Sequence, residues 1–244
     1  MRSVILGSAC LSLALAVAQE APSSTPTVDQ IMEKAITASG GREALKKVTS
    51  FVATGSLEVV AMGVTAPTEL YAKAPNKRLT VTTVEGYGEI KNGYDGTVGW
   101  NSEPQNGLVE LKGEELATRK RDSTFNSELM WKELYPKSEV TGKGKVGDRD
   151  CWIVKLTPAE GKPVVRYYDA ENGLMLKGIS TVDSPQGSGE VTVELSDFSA
   201  VGEGAKVPHT MKLNVPGIGD LVIRYKDYKA NVDIEDAKFA KPKQ

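Results

Sequence analysis

The sequence predicts a mainly β fold of the α+β kind, a strongly curved antiparallel sheet wrapped round helical segments. Three observations predict it. From Phe51 onward apolar residues recur at every second position, the period of a half-buried strand, and one stretch of helical composition breaks that period. Turn residues punctuate the strands at short, regular intervals. The densest example is 146–183: Trp152, Val154 and Leu156 share one face, Glu160-Gly161 turns the chain, 164–169 returns, and Asn172-Gly173 supplies positive φ angles for a hairpin. A sheet this wide has to curl, split or close. The apolar inserted segment favours a curled sheet with a concavity to lie in, and a β-sandwich is the alternative.

In chain order, residues 1–18 carry Arg2, an apolar run from Val4 to Val17 and the small-x-small site Ala16-Val17-Ala18, the marks of a secretory signal cleaved after Ala18. Cys10 follows Gly7-Ser8-Ala9, with no leucine-like residue three positions before it, and reads as a signal residue rather than a lipidation site. Residues 19–26 form a polar Pro/Ser tether, and 27–244 a single domain. Thr27 and Gln30 spell a capping box ahead of an apolar stripe, Val28, Ile31, Met32, Ala35, Ile36 and Ala38, which Gly40-Gly41 ends. A shorter helical piece, 42–48, leads to the first strand.

Strands are expected where Leu57 and Val59 oppose Glu58, Leu70 and Ala72 oppose Glu69 and Lys73, and Leu79 and Val81 oppose Thr80 and Thr82. Asn92-Gly93 and Asp95-Gly96 read as two turns leading into Val98 and Trp100. The stretch 116–135 reads as a helix carrying Phe125, Leu129, Met130, Trp131 and Leu134, stopped by Pro136. The meander resumes at Ser138 and runs through Val191, Val193 and Leu195, then 207–215, then Leu221, Ile223 and Tyr225. That makes about eleven strands.

The chemistry of catalysis is sparse. A net charge of −2 with both signs interspersed offers no nucleic-acid surface. The one dense basic run, Thr118-Arg119-Lys120-Arg121, is flanked by Glu114, Glu115 and Asp122 and reads as a solvated helix face. His209, beside Pro208, is the single histidine, which excludes a multi-histidine metal site; it reads as a surface or strand-edge residue. No G-x-S-x-G elbow occurs. Residues 142–147 match G-x-G-x-x-G, but a strand follows where a dinucleotide site needs a helix, so they read as a hairpin turn. The run 169–173 lacks the spacing of a calcium loop. Cys151 reads as a small buried hydrophobe in a strand. No catalytic residue, metal or cofactor is expected, and the profile is that of a binder rather than an enzyme.

The alternation names either the walls of an apolar cavity or the filling of a solid core, between which it does not distinguish: Leu57, Val59, Leu70, Leu79, Val81, Trp100, Trp152, Val154, Val191, Val193 and Ile223 from the sheet, with Phe125, Leu129 and Met130 from the inserted segment. The helix pair V-D-Q-I-M-E-K-A-I-T-A-S-G-G-R-E-A-L, the strand D-R-D-C-W-I-V-K-L-T-P and the strand-turn-strand V-V-R-Y-Y-D-A-E-N-G-L-M resemble exported proteins of the outer-membrane lipoprotein-sorting class, the LolA/LolB-like superfamily. The resemblance spans nearly the whole chain after the signal. It implies an unclosed antiparallel β-barrel, lidded by helices, that holds acyl chains while a lipoprotein crosses the periplasm. It further implies a non-enzymatic periplasmic carrier or chaperone for acylated lipoproteins or other lipids, a monomer with an inner- or outer-membrane protein as possible partner. Two other readings use the same cavity: a periplasmic lipid-sensing regulatory module, and an enzyme on an apolar substrate.

Overall fold

In this computed structural model, which describes residues 25–184 and 187–243, thirteen strands pair antiparallel into one sheet. The expected signal segment 1–18, Cys10 within it, and residues 19–24 of the tether lie outside the described residues. Strands β1 (Ser50–Val59), β2 (Val64–Lys73), β3 (Lys77–Val84), β4 (Gly88–Tyr94), β5 (Gly99–Glu103) and β6 (Gly107–Glu110) follow one another to one edge. From the other edge run β7 (Lys137–Val146), β8 (Arg149–Thr157), β9 (Val164–Asp169), β10 (Met175–Ser184), β11 (Gly187–Val201), β12 (Ala205–Val215) and β13 (Gly219–Ala230). The halves join where β13 pairs with β1, while β6 and β7 do not pair, so the barrel stays open. The chain between those edges bridges the seam through α3 (Gly113–Asp122) and α4 (Trp131–Leu134).

Helix α1 (Val28–Ala38) starts on its capping box: Gln30 N–H donates to Thr27 Oγ1 at 3.2 Å, and Thr27 N–H donates to Gln30 Oε1 at 2.8 Å. Its buried Ile31, Met32 and Ala35 pack on Val154, Leu156 and Tyr168 of the sheet and on Trp131 and Tyr135 of the insertion. Ile36 packs beside Leu45 of α2 (Arg42–Lys47), with Val48, Val201 and Ala205, and the inserted Phe125 and Leu129 close that cluster. Both helical parts therefore lie on the same face of the sheet, and the sheet curls toward it, since residues of β5 and of β9 and β10 line a single cavity beneath α3.

The opposite, outer face has a core of its own. After β13, residues 231–240 fold back over it, burying Ile234 and Phe239 against Leu79, Val81 and Trp100. Trp100 Nε1 donates to the Phe239 carbonyl at 3.0 Å, and Lys73 Nζ donates to the Ile234 carbonyl at 2.7 Å. Lys73 and Lys77 also hold Asp236, at 2.8 and 2.6 Å, and the hydrogen bonds they donate bring its carboxyl down to about 2. A carboxyl whose folded pKa is depressed contributes stability that is present above its unfolded value and lost as pH falls through the folded one. The C-terminal strap is therefore expected to loosen as pH drops from about 4 toward about 2. Amide exchange of residues 232–240 across that range checks this; Asp236→Asn should show the loosened exchange already at neutral pH, and unchanged protection in that variant would refute the clamp.

Sequence and structure differ in four places. The thirteen strands include β4 and β6, where turns and loop were expected. Asn92 and Gly93 lie inside β4 rather than in a turn; a Cβ on Gly93 would stand 2.2 Å from the Trp100 ring, so this glycine serves close packing. Asp95-Gly96 is a turn as expected, with the Thr97 and Val98 N–H groups donating to Asp95 Oδ1 at 2.8 and 2.7 Å. The expected helix 116–135 is two helices with an irregular stretch between them. There Ser123, Thr124, Asn126 and Ser127 offer short polar side chains that compete for backbone partners, and Asn126, at φ 51°, donates to the Leu45 carbonyl at 2.7 Å. The G-x-G-x-x-G run lies along β7, with only Gly147 in the turn. Cys151 is buried and unpaired, and burial pushes its thiol pKa up, as expected of a structural cysteine.

Candidate ligand-binding concavity

Residues paired across a ladder share a face, so the registers trace what the concave side presents. One row runs Val140, Val154, Arg166, Gly178, Val193, Leu213, Leu221, Val59 and Val64 from β7 to β2. A second runs Leu195, Met211, Ile223, Leu57 and Ala66. Val154 is fully buried beneath α1. Val193, Leu213, Leu221, Val59, Met211, Ile223 and Leu57 are only half-buried, because the clusters formed by α1 and the insertion do not reach them. Among the described residues, the central strands thus present an apolar wall that neither α1 nor the inserted segment covers.

Next to this wall stands an aromatic band. His209 meets the Tyr228 ring edge-on at 4.9 Å, Tyr228 meets Tyr225 and Phe51, and Phe51 meets the inserted Phe125 at 5.7 Å. His209, expected at the surface or at a strand edge, is half-buried within β12. The Tyr225 carbonyl can only accept, so His209 Nδ1 carries the proton at 2.9 Å, and Nε2 accepts from Ser199 Oγ at 2.6 Å in the neutral ring. Beyond the band the concave face turns polar: Thr82 and Thr68, Thr80, Asn92 and Asn101, and Arg78 occupy it on β2 to β5.

The residues expected to wall the cavity divide accordingly. Leu57, Val59, Val191, Val193 and Ile223 stand on the uncovered apolar wall. Leu70, on the same face, is buried with Ala53 and Tyr225; Val154 and Trp152 belong to the core under α1. Phe125 and Leu129 pack into the cluster beside α2, and Met130 is exposed. Leu79, Val81 and Trp100 are on the other face, under the C-terminal strap, and are not brought together with the rest. Alternation separates two faces but does not say which is concave, and here Thr80 and Thr82 of β3, not Leu79 and Val81, look inward.

What the sequence reading missed is charge inside the concavity. The run 118–121 is only partly a solvated face: Lys120 is exposed, but Arg121 is 8 % exposed, donating to the Glu160 carbonyl at 3.3 Å and to Thr118 Oγ1 at 3.2 Å. Arg119 reaches the sheet, donating to Asn101 Oδ1 at 3.0 Å and the Gly93 carbonyl at 3.4 Å. Arg166, from the concave row of β9, donates to Tyr135 Oη at 2.9 Å. Desolvation raises the carboxyl pKa of Asp122 against the pull of the surrounding arginines, and likewise that of Glu128 against a hydrogen bond from Ser39. Yet Asp122 retains accessible surface, the combination expected of a group ringed by protein but reached by solvent on the wall of a hollow. Beneath α3 that hollow deepens into a cavity of about 330 Å³, lined by Asn101, Leu111, Glu114, Glu115, Thr118, Arg119, Arg121, Asp122, Lys162, Val164, Ser180, Thr181 and Val182. Among the described residues no cluster of histidine, cysteine and carboxylate groups could hold a metal ion.

No family model matches this sequence, and no curated protein matches it. Solved structures do. A LolA superfamily protein from Nitrosomonas europaea aligns with a TM-score of 0.59 at 16 % identity, covering 89 % of this chain and 99 % of the other. A DUF1329 family protein from Desulfovibrio piger aligns with a TM-score of 0.60 at 16 % identity over 88 % and 98 %. An outer membrane lipoprotein-sorting protein domain from Vibrio parahaemolyticus aligns with a TM-score of 0.60 at 15 % identity over 87 % and 97 %. The chain has the fold that these proteins share, an antiparallel sheet not closed into a barrel and accompanied by a few helices.

Proposed function

We propose that this chain is a non-enzymatic periplasmic carrier for a lipid or an acylated lipoprotein, with the acyl chain laid along the uncovered apolar rows of the concave face. The observation that carries the reading is the contrast within one register row: Val154 is fully buried beneath α1, while among the described residues Val193, Leu213, Leu221 and Val59 are left half-open, covered by neither α1 nor the inserted segment. Each methylene taken from water contributes about 0.8 kcal/mol, so a long acyl chain can be held without covalent chemistry or nucleotide hydrolysis. The signal-like residues 1–18 support export, and the shared fold with a lipoprotein-sorting domain supports acylated protein among the candidate cargoes. Loading and release would proceed by movement of the inserted segment, whose stretch 123–130 is irregular and whose Met130 is exposed.

The test is native mass spectrometry of protein purified from an exporting host, joined to titration with a fluorescent acyl probe. A co-purified lipid, or saturable probe binding at one site, is the expected result. Absence of both retires the carrier reading.

A further inference from the structure

The polar end of the concavity holds more positive charge than an acyl carrier needs. Four guanidinium groups, those of Arg78, Arg119, Arg121 and Arg166, act on the carboxylate of Asp122; Glu128 lies beside Arg166, and Glu115 acts on Arg119. Their hydrogen bonds do not neutralise them. Arg119 and Arg121 donate to amide, carbonyl and hydroxyl oxygens, all neutral, and the buried Nε of Arg121 has no partner. Arg78 makes no hydrogen bond or ion pair among the described residues, although it shares the concave face with Tyr94 and Ala72. Its row continues to Gly99, whose missing Cβ would lie 3.4 Å from Arg119 Cγ, which brings the two arginines to one place. Arg119 is accordingly less basic than an ordinary arginine, first through burial and next through repulsion by Arg78, against the opposing pull of Asp122 and Glu115.

Two like charges held together in a partly desolvated hollow, with no acid in ion-pair contact with either among the described residues, are a cost to the empty protein that an anion would remove. The polar patch adjoins the aromatic band, and the band adjoins the apolar wall. We propose that Arg78 and Arg119 receive the anionic head group, phosphate or carboxylate, of an amphiphile whose chain lies on that wall. The assignment rests on the carrier reading and specifies its cargo class. A planar guanidinium suits either anion, since its paired N–H groups match two oxygens at once.

The experiment compares the intact protein's affinity for dodecyl phosphate, dodecanoate, dodecyl maltoside and inorganic phosphate, each below its micelle concentration, with wild type and Arg78→Gln. Both anionic amphiphiles should bind wild type at least about ten-fold tighter than the neutral one, the factor that one charge-assisted contact supplies. Arg78→Gln should erase that preference and leave dodecyl maltoside affinity unchanged, and it should not lower the melting temperature, since Arg78 makes no hydrogen bond or ion pair among the described residues and its removal relieves the repulsion with Arg119. Equal affinity of wild type for anionic and neutral chains overturns the head-group site while leaving the carrier reading intact, and that comparison needs no variant. Failure of every amphiphile to bind overturns the carrier reading itself. Inorganic phosphate binding as tightly as dodecyl phosphate would assign the arginines to a free anion and overturn the amphiphile.

Discussion

Trp100→Ala will destabilise the protein by about 3–5 kcal/mol, a large part of the 5–15 kcal/mol that holds a typical domain together. The side chain is 1 % exposed and is the largest one in the outer core. Removing it deletes the apolar contact with Leu79, Ile234 and Phe239 and opens a cavity over Gly93, where no Cβ is present to fill the gap. It also strands the Phe239 carbonyl, which accepts from Trp100 Nε1 at 3.0 Å. Urea unfolding followed by circular dichroism measures the loss, and limited proteolysis should show residues 231–240 cut first, because Trp100 is what the strap closes on. A loss under about 1 kcal/mol would mean that the strap is not part of the cooperative structure.

That outer core marks where the sequence stopped being legible. Period-two alternation correctly announced strands at Leu79 and Val81, and the capping box of Thr27 and Gln30 announced α1. Each of these signals is local. Which face of β3 looks into the concavity depends on residues 231–240 folding back over the other side, a contact between positions more than a hundred residues apart that no spacing rule encodes. The same holds for Arg119 and Arg121. Flanking acids made the run 118–121 look solvated, and only the position of α3 across the open seam turns its arginines inward. One signal could have been weighed more heavily: a short helix that bridges two sheet edges exposes little of its circumference, so not all of its charges can be on the outside. Gly93 misled for a related reason, since a glycine required by a tryptophan ring and a glycine required by a turn look alike in a sequence.

The division of the two faces makes the sharpest functional prediction, because an identical substitution should have opposite consequences on each. Leu79 is 3 % exposed beneath the strap, so Leu79→Asp buries an unpaired carboxylate and should unfold the protein. Leu57 lies half-open on the concave wall between Ala66 and Ile223, so in Leu57→Asp the carboxylate can remain hydrated while the cavity is empty, and the melting temperature should shift little. Val193→Asp should behave like Leu57→Asp. An acyl chain laid over either carboxylate would have to strip its water, and the affinity of an acyl probe should fall on the order of 100-fold. Leu57→Met, which preserves volume and apolarity, should bind like wild type and separates loss of an apolar wall from loss of a shape. If Leu57→Asp unfolds as Leu79→Asp does, the concave rows are a filled core and no chain lies on them. If both concave variants stay folded and still bind the probe at wild-type affinity, the acyl chain occupies the cavity beneath α3 instead, and the apolar rows have another purpose.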